Sequence, residues 1–248
     1  MALKTTRNTL HYPQSLKISA VIQARMTSRR LPGKALKQVC GKPLFLHLLR
    51  RVERCTEIDD IILATSSDPS DDPLHDFGLS CGIRVHRGPL EDVATRLSEA
   101  ARSNDSDVLV RICGDSPLID PILIDQLVRL YRASQSVDLV SNVQDRTFPK
   151  GQSVEVISVK ALNSKIAAGL TREEKEHATL GYYSGSDDSK KLFVSRSPSL
   201  SSVQLSVDDQ KDLEIFEAIT KLLGEPYEAH DMDSLVHAYE KVKTLGHA

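Results

Sequence analysis

Tryptophan is absent from this 248-residue chain, and aromatic residues make up only 4% of it. Such a composition is poor material for the stacked aromatic platforms that hold single-stranded nucleic acid. Net charge is nearly absent too: 32 Lys and Arg stand against 34 Asp and Glu, a formal −2. That balance excludes a global field drawing nucleic acid or anionic membrane, so a charged ligand must be met by a local cluster. No run approaches the ~20 consecutive apolar residues of a membrane-spanning helix. Residues 1–16 lack the continuous apolar core of a signal peptide and read as a flexible tail. The four cysteines, Cys40, Cys55, Cys81 and Cys113, form no C-x-x-C pair and have no His-rich neighbourhood. A zinc site or disulfide framework is not expected, and a reducing cytoplasmic location is the simpler expectation.

What is present is an alternation of short β-branched runs with longer amphipathic ones. "KISAVIQA", "DIILATS", "SDVLVRIC" and "VDLVSN" read as strands. Between them, "PLFLHLLRRVERC", "DVATRLSEAARS" and "DPILIDQLVRLYRAS" have helical spacing, with Leu44, Leu48, Leu49 and Val52 on one face of the first. Asp120 before Pro121 is an expected N-cap of the third. This β-α-β-α order predicts an α/β fold, a mainly parallel sheet covered on both faces, with ligands outside the carboxyl ends of the strands. From about residue 145 the rhythm changes. "FPKGQSVEVISV" and "VQLSV" read as strands, Thr171 and Glu174 suit a capping box, and two further helices close the chain. The expectation is one domain over 17–248, with an inserted arm at about 145–200.

Three stretches carry candidate chemistry. "IQARMTSRRLPGK" follows the first strand with four basic residues and no acid. Its backbone N–H groups, Gly33, and the charges of Arg25, Arg29, Arg30 and Lys34 suit a phosphate-bearing ligand. It is neither a Walker A loop nor G-x-G-x-x-G. "RICGDSP" sets Asp115 at the end of a central strand, where it is either a turn residue or a ligand of a hard cation. "SVDDQKD" sets Asp208 at a strand-to-helix junction, either as an N-cap or as a second carboxylate facing Asp115. Asp231 and Asp233 form a literal D-x-D, the pattern of a glycosyltransferase, but at a helix start they read as capping. His47, His230, His237 and His247 read as structural.

In order and spacing, "IQARMTSRRLPGKALKQVCGKPLFLHLLRRV", "RGPLEDVATRLSEAA", "VRICGDSPLIDP", "DLVSN", "PKGQSVEVI" and "SVDDQKDLEIF" resemble the cytidylyltransferases that activate acidic sugars. The nearest resemblance is to the branch named for spore-coat polysaccharide synthesis, with octulosonate and acylneuraminate cytidylyltransferases as relatives. The resemblance implies a Rossmann-like nucleotide-diphospho-sugar transferase fold, CTP with Mg²⁺, release of pyrophosphate, and a homodimer whose arm binds the acceptor. By the same resemblance Arg25, Arg30 and Lys34 hold the triphosphate, Ala24 offers backbone atoms to the cytosine, and Asp115 and Asp208 hold the metal. Arg111 faces nucleotide or sugar, and Ser153, Glu155 and His177 belong to the acceptor region. Ser153 stands where the branch has Asp, and Lys175 where it often has Arg. The implied product is a CMP-activated octulosonate or nonulosonate. The alternatives are a phosphonate or other anionic non-sugar acceptor, or an inactive nucleotide-sugar-binding paralogue.

Overall fold

The computed structural model describes residues 16–134, 136–183 and 188–246. Nearly all of the expected tail, and His247, lie outside them. The first strand, β1 (Ile18–Gln23), has every residue from Ile18 to Ile22 fully buried, as a strand covered on both faces must. Ile18, Ala20 and Ile22 face one apolar cluster and Val21 the other, the alternation that a pleated strand imposes.

After β1 come a two-stranded ribbon, β2 (Gln38–Val39) and β3 (Lys42–Pro43), then α1 (Leu44–Val52), β4 (Asp60–Ser66), α2 (Asp72–Ser80) and β5 (Arg84–Gly88). Next are α3 (Val93–Arg102), β6 (Val108–Cys113), α4 (Pro121–Ala133) and β7 (Leu139–Ser141). The later segment supplies β8 (Glu155–Ser158), α5 (Val159–Ala168), α6 (Arg172–Glu176), α7 (Leu180–Tyr183) and β9 (Lys191–Phe193), and α8 (Gln210–Leu223) and α9 (Met232–Thr244) end the chain. The main sheet has the order β5-β4-β1-β6-β8-β7-β9. β1 pairs in parallel with β4 and β6, while β8 runs antiparallel to β6 and β7. The mainly parallel α/β architecture is therefore the one expected. The arm stretch is more integrated than expected, because β8 and β9 belong to the central sheet.

Local chemistry explains most boundaries. Asp120 caps α4, Thr171 and Glu174 form the capping box of α6, and Asp231 caps α9, which accounts for the D-x-D without any glycosyl chemistry. Asp209, not Asp208, caps α8, so Asp208 is free of that duty. "VQLSV" forms no strand; its one bridge pairs Gln204 with Lys150, and beside it Gly151 lets the backbones approach, since a Cβ there would strike the Ser206 nitrogen at 2.6 Å. Two elements, α2 and β5, have no clear sequence signal. α2 is short and contains Gly78, where a Cβ would meet Leu63 and Val85 side chains at 2.8 and 2.9 Å, and β5 is an edge strand rich in charge.

The C-terminal return is pinned to α1 from inside. Arg51, fully buried, donates to the carbonyls of Ile119 (2.6 Å), Glu228 (3.2 Å) and His230 (2.9 Å). Beside it the buried His47 donates from Nε2 to the Val39 carbonyl (2.9 Å), so its Nδ1 accepts from the Tyr227 hydroxyl.

Burial lowers the His47 pKa, outweighing the Val39 bond, so the folded value falls below the unfolded one of about 6.5. Between the two values the unfolded chain binds more protons, and stability is lost as pH falls through that window. Urea midpoints measured at about pH 7.5 and about pH 5.5 should drop on acidification, and His47→Gln should flatten that component of the drop.

Candidate active site

The loop after β1 folds over the carboxyl ends of β1 and β6. Its closing turn needs Gly33, at φ 70°, whose N–H donates to the Met26 carbonyl at 2.8 Å. Leu31, 7% exposed, anchors the loop in the same apolar cluster as Leu118 and Val207. The other anchor is Asp71, fully buried, whose carboxylate accepts from the backbone N–H of Met26 (2.6 Å) and Ser66 (2.9 Å) and from the Ser66 hydroxyl. Gly114 lets the β6 turn lie against the loop: its N–H donates to the Gln23 carbonyl at 2.8 Å, and a Cβ there would meet the Ala24 Cβ at 2.6 Å.

The result is a cleft of about 320 Å³ lined by Ala24, Arg25, Arg30, Lys34, Asp115 and His177 among others. Lys34 Nζ lies 3.3 Å from Asp115 Oδ2 and 3.7 Å from Asp208 Oδ1, and donates to the Val207 carbonyl at 2.8 Å. Arg30 reaches Asp208 Oδ1 at 2.9 Å. Three segments far apart in sequence thus meet, held in part by the Val207 N–H donating to the Asp115 carbonyl at 2.8 Å. Among the described residues no group of three or more His, Cys, Asp and Glu could hold a metal. Two partly exposed carboxylates nevertheless fit Mg²⁺, a hard cation that takes one or two protein carboxylates and completes its shell with phosphate oxygens and water.

Arg111 and Glu155 are joined to each other. Arg111 Nη1 donates to Glu155 Oε2 at 2.7 Å and to the Thr179 hydroxyl at 2.9 Å, and its Nε donates to Gln23 Oε1 at 2.8 Å. Burial opposes the guanidinium charge, but the Glu155 carboxylate outweighs it and holds the Arg111 pKa above its usual value. Tyr183 donates its hydroxyl to Glu155 Oε1; burial, then that carboxylate, push the phenol well above its ordinary range. Burial also pushes the Cys113 thiol, at the cleft wall, up to about 11. Ser153 lines a separate depression of about 180 Å³ with Asn142, Arg146 and Lys150. His177 is exposed at the mouth of the main cleft.

Three participants lack a sequence signal strong enough to single them out. Arg96 lines the cleft at 2% exposure; it donates to the Pro89 and Leu90 carbonyls, and among the described residues its Nε has no partner. Burial, then nearby Arg25, lower its pKa. Asp71 and Gln23 are the others, one within a polar run and the other the last residue of β1. Arg29, read as one basic residue among four, also lines the cleft.

A family model described as cytidylyltransferase matches residues 19–180. The spore coat polysaccharide biosynthesis protein SpsF of Bacillus subtilis is 30% identical over 229 residues, covering 83% of this chain and 87% of that protein. A 3-deoxy-manno-octulosonate cytidylyltransferase of Pelobacter propionicus is 40% identical over 114 residues, but the match covers 46% of this chain and only 44% of that enzyme. The solved structure of a cytidylyltransferase from Leptospira borgpetersenii superposes with a TM-score of 0.87 over 93% of this chain and 97% of its own, at 24% identity, a likeness of fold.

Because Asp71 satisfies two backbone N–H groups and a hydroxyl, Asp71→Asn should lower unfolding stability by about 1–3 kcal/mol, measurable by urea denaturation. The same variant should weaken nucleoside triphosphate binding in a direct titration, since Met26 loses its fixed anchor.

Proposed function

Because the chain belongs to the cytidylyltransferase family, we propose that it transfers the cytidylyl group of CTP to an anionic acceptor, a sugar acid of octulosonate or nonulosonate type, with release of pyrophosphate. The observation that carries this reading is the meeting of Lys34 with Asp115 and Asp208 at the end of β1, with Arg30 on Asp208. In the reaction an acceptor hydroxyl oxygen bonds to the α-phosphorus, the bond from that phosphorus to the bridging oxygen breaks, and the hydroxyl proton passes to solvent. Such a displacement depends on aligning the two oxygens and neutralising charge.

Lys34 and Arg30 bind the β- and γ-phosphates, with Arg25 nearer the base. Arg29 and Arg25 have no acidic partner within ion-pair distance among the described residues, which leaves both guanidinium groups to an anionic ligand. Ala24, held by the close approach of Gly114, offers its backbone to the cytosine. The two carboxylates, Asp115 and Asp208, are the candidate holders of Mg²⁺, whose chemistry when bound is to polarise phosphoryl oxygens. Lys34 keeps those carboxylates together through its two ion pairs. Glu155, Arg111 and His177 belong to the acceptor side, where Arg111 and Glu155 act on its shape through each other; Ser153, expected there, lies in the separate depression instead. The SpsF name of one relative supports a role in surface polysaccharide synthesis.

The decisive measurement is pyrophosphate release with CTP, UTP, ATP and GTP against a panel of sugar acids and phosphonates. CTP with a sugar acid should be the productive pair; CTP binding without release from any pair would instead mark a binding paralogue. Asp115→Ala should lower turnover by at least ~10²-fold, as loss of a major charge stabiliser does, and wild-type rates would remove Asp115 from the chemistry. Lys34→Ala should raise the CTP concentration needed for half-saturation as well as slow turnover.

A further inference from the structure

Resting on the sugar-acid reading above, we propose that Gln23 is a specificity-determining residue, its side-chain amide fixed so that Nε2 donates to the acceptor's carboxylate. An amide at the end of a strand is ordinarily ambiguous in orientation, but here its partner resolves it. Arg111 Nε can only donate, so the Gln23 atom 2.8 Å away is the carbonyl Oε1, and Nε2 is the atom left for other partners. Gln23 lines the cleft, and among the described residues no protein acceptor engages its Nε2.

The lock is deep. Arg111 is held by Glu155 and Thr179, Glu155 by Tyr183, and the Tyr183 hydroxyl also lies 2.8 Å from Ser141 Oγ. Sheet register sets the spacing: Val21 pairs with Arg111, Gln23 with Cys113, and Arg111 with Glu155. Paired residues of adjacent strands share a face, so the chain from Glu155 to Gln23 runs across one side of the sheet toward the carboxyl ends. Through Thr179 and Tyr183 it is tied to the arm stretch, whereas the Lys34 cluster is tied to the C-terminal segment through Val207 and Asp208. That division puts Gln23 on the acceptor's side of the cleft.

The chemistry facing the cleft there is donor-rich. Both Glu155 oxygens are engaged by Arg111 and Tyr183, while the Gln23 amide hydrogens remain and the guanidinium groups of Arg25 and Arg29 line the same cleft. Donors without matching acceptors select a group that only accepts, and an ionised carboxylate is such a group.

Gln23→Glu keeps the shape and gives Arg111 a partner but replaces the donor with a like charge facing the ligand. The KM for 3-deoxy-manno-octulosonate or N-acetylneuraminate, whichever the wild type uses, should rise at least about tenfold, while CTP affinity by direct titration stays within about twofold. Gln23→Met removes the donors without adding charge and should raise the same KM by a smaller factor; it carries the test should the Glu variant fail to bind CTP. An acceptor KM unchanged in both, or a loss of CTP affinity in Gln23→Met that parallels its rise in acceptor KM, overturns the assignment of Gln23 and leaves the function standing. A wild type that uses no sugar acid overturns the acceptor reading and this inference with it.

Discussion

One ammonium group organises the cleft. Lys34 lies between the turn after β6 and the segment before α8, touching Asp115, Asp208 and the Val207 carbonyl. At 13% side-chain exposure it is shielded enough for these contacts to matter, unlike Arg30, whose side chain is 64% exposed and whose ion pair adds little to stability. Without a cation at that point, two carboxylates would face each other in a shared cleft. The constraint is mutual: the loop is drawn to the C-terminal segment, and that segment must return across the sheet to supply Asp208.

The rest of the fold makes this meeting possible. Arg51 ties α1 to the return through buried carbonyls, and the Asp71 carboxylate holds Met26 at the base of the loop. Gly114 and Gly151 remove two Cβ atoms where backbones cross, one beside Ala24 and one beside Ser206. The opposite wall is organised by a separate buried ion pair, Arg111 with Glu155, whose charges are compensated by each other and by Thr179, Tyr183 and Gln23. The cleft thus has two separately supported walls, one built on the C-terminal return and one on the arm.

Residue patterns were legible wherever burial imposes a period. The run at Ile18–Gln23 announced a central strand, the Leu44, Leu48, Leu49 and Val52 stripe announced α1, and Asp120 and Thr171 announced their caps. α2 and β5 were not legible, because a short helix containing a packed glycine and a charged edge strand leave weak periodicity. "VQLSV" looked like a strand because its apolar residues alternate, yet Val203, Leu205 and Val207 face the C-terminal helices and the backbone makes only a single bridge.

For the site, the amino-acid sequence by itself determined the chemistry on offer: a basic loop without acids, a Gly-Asp turn after a strand, and an Asp pair before a helix. It also determined the family, whose model matches residues 19–180. Only tertiary structure decided which of the basic residues meets a carboxylate, that Asp209 rather than Asp208 takes the capping role, and that Arg111 and Glu155 spend their charge on each other. It also brought in Asp71, Arg96 and Gln23, ordinary residues locally. The reason is physical: local propensity is set by neighbours within a turn or a strand, whereas these roles arise from contacts across the sheet and between distant loops, whose geometry no short stretch encodes.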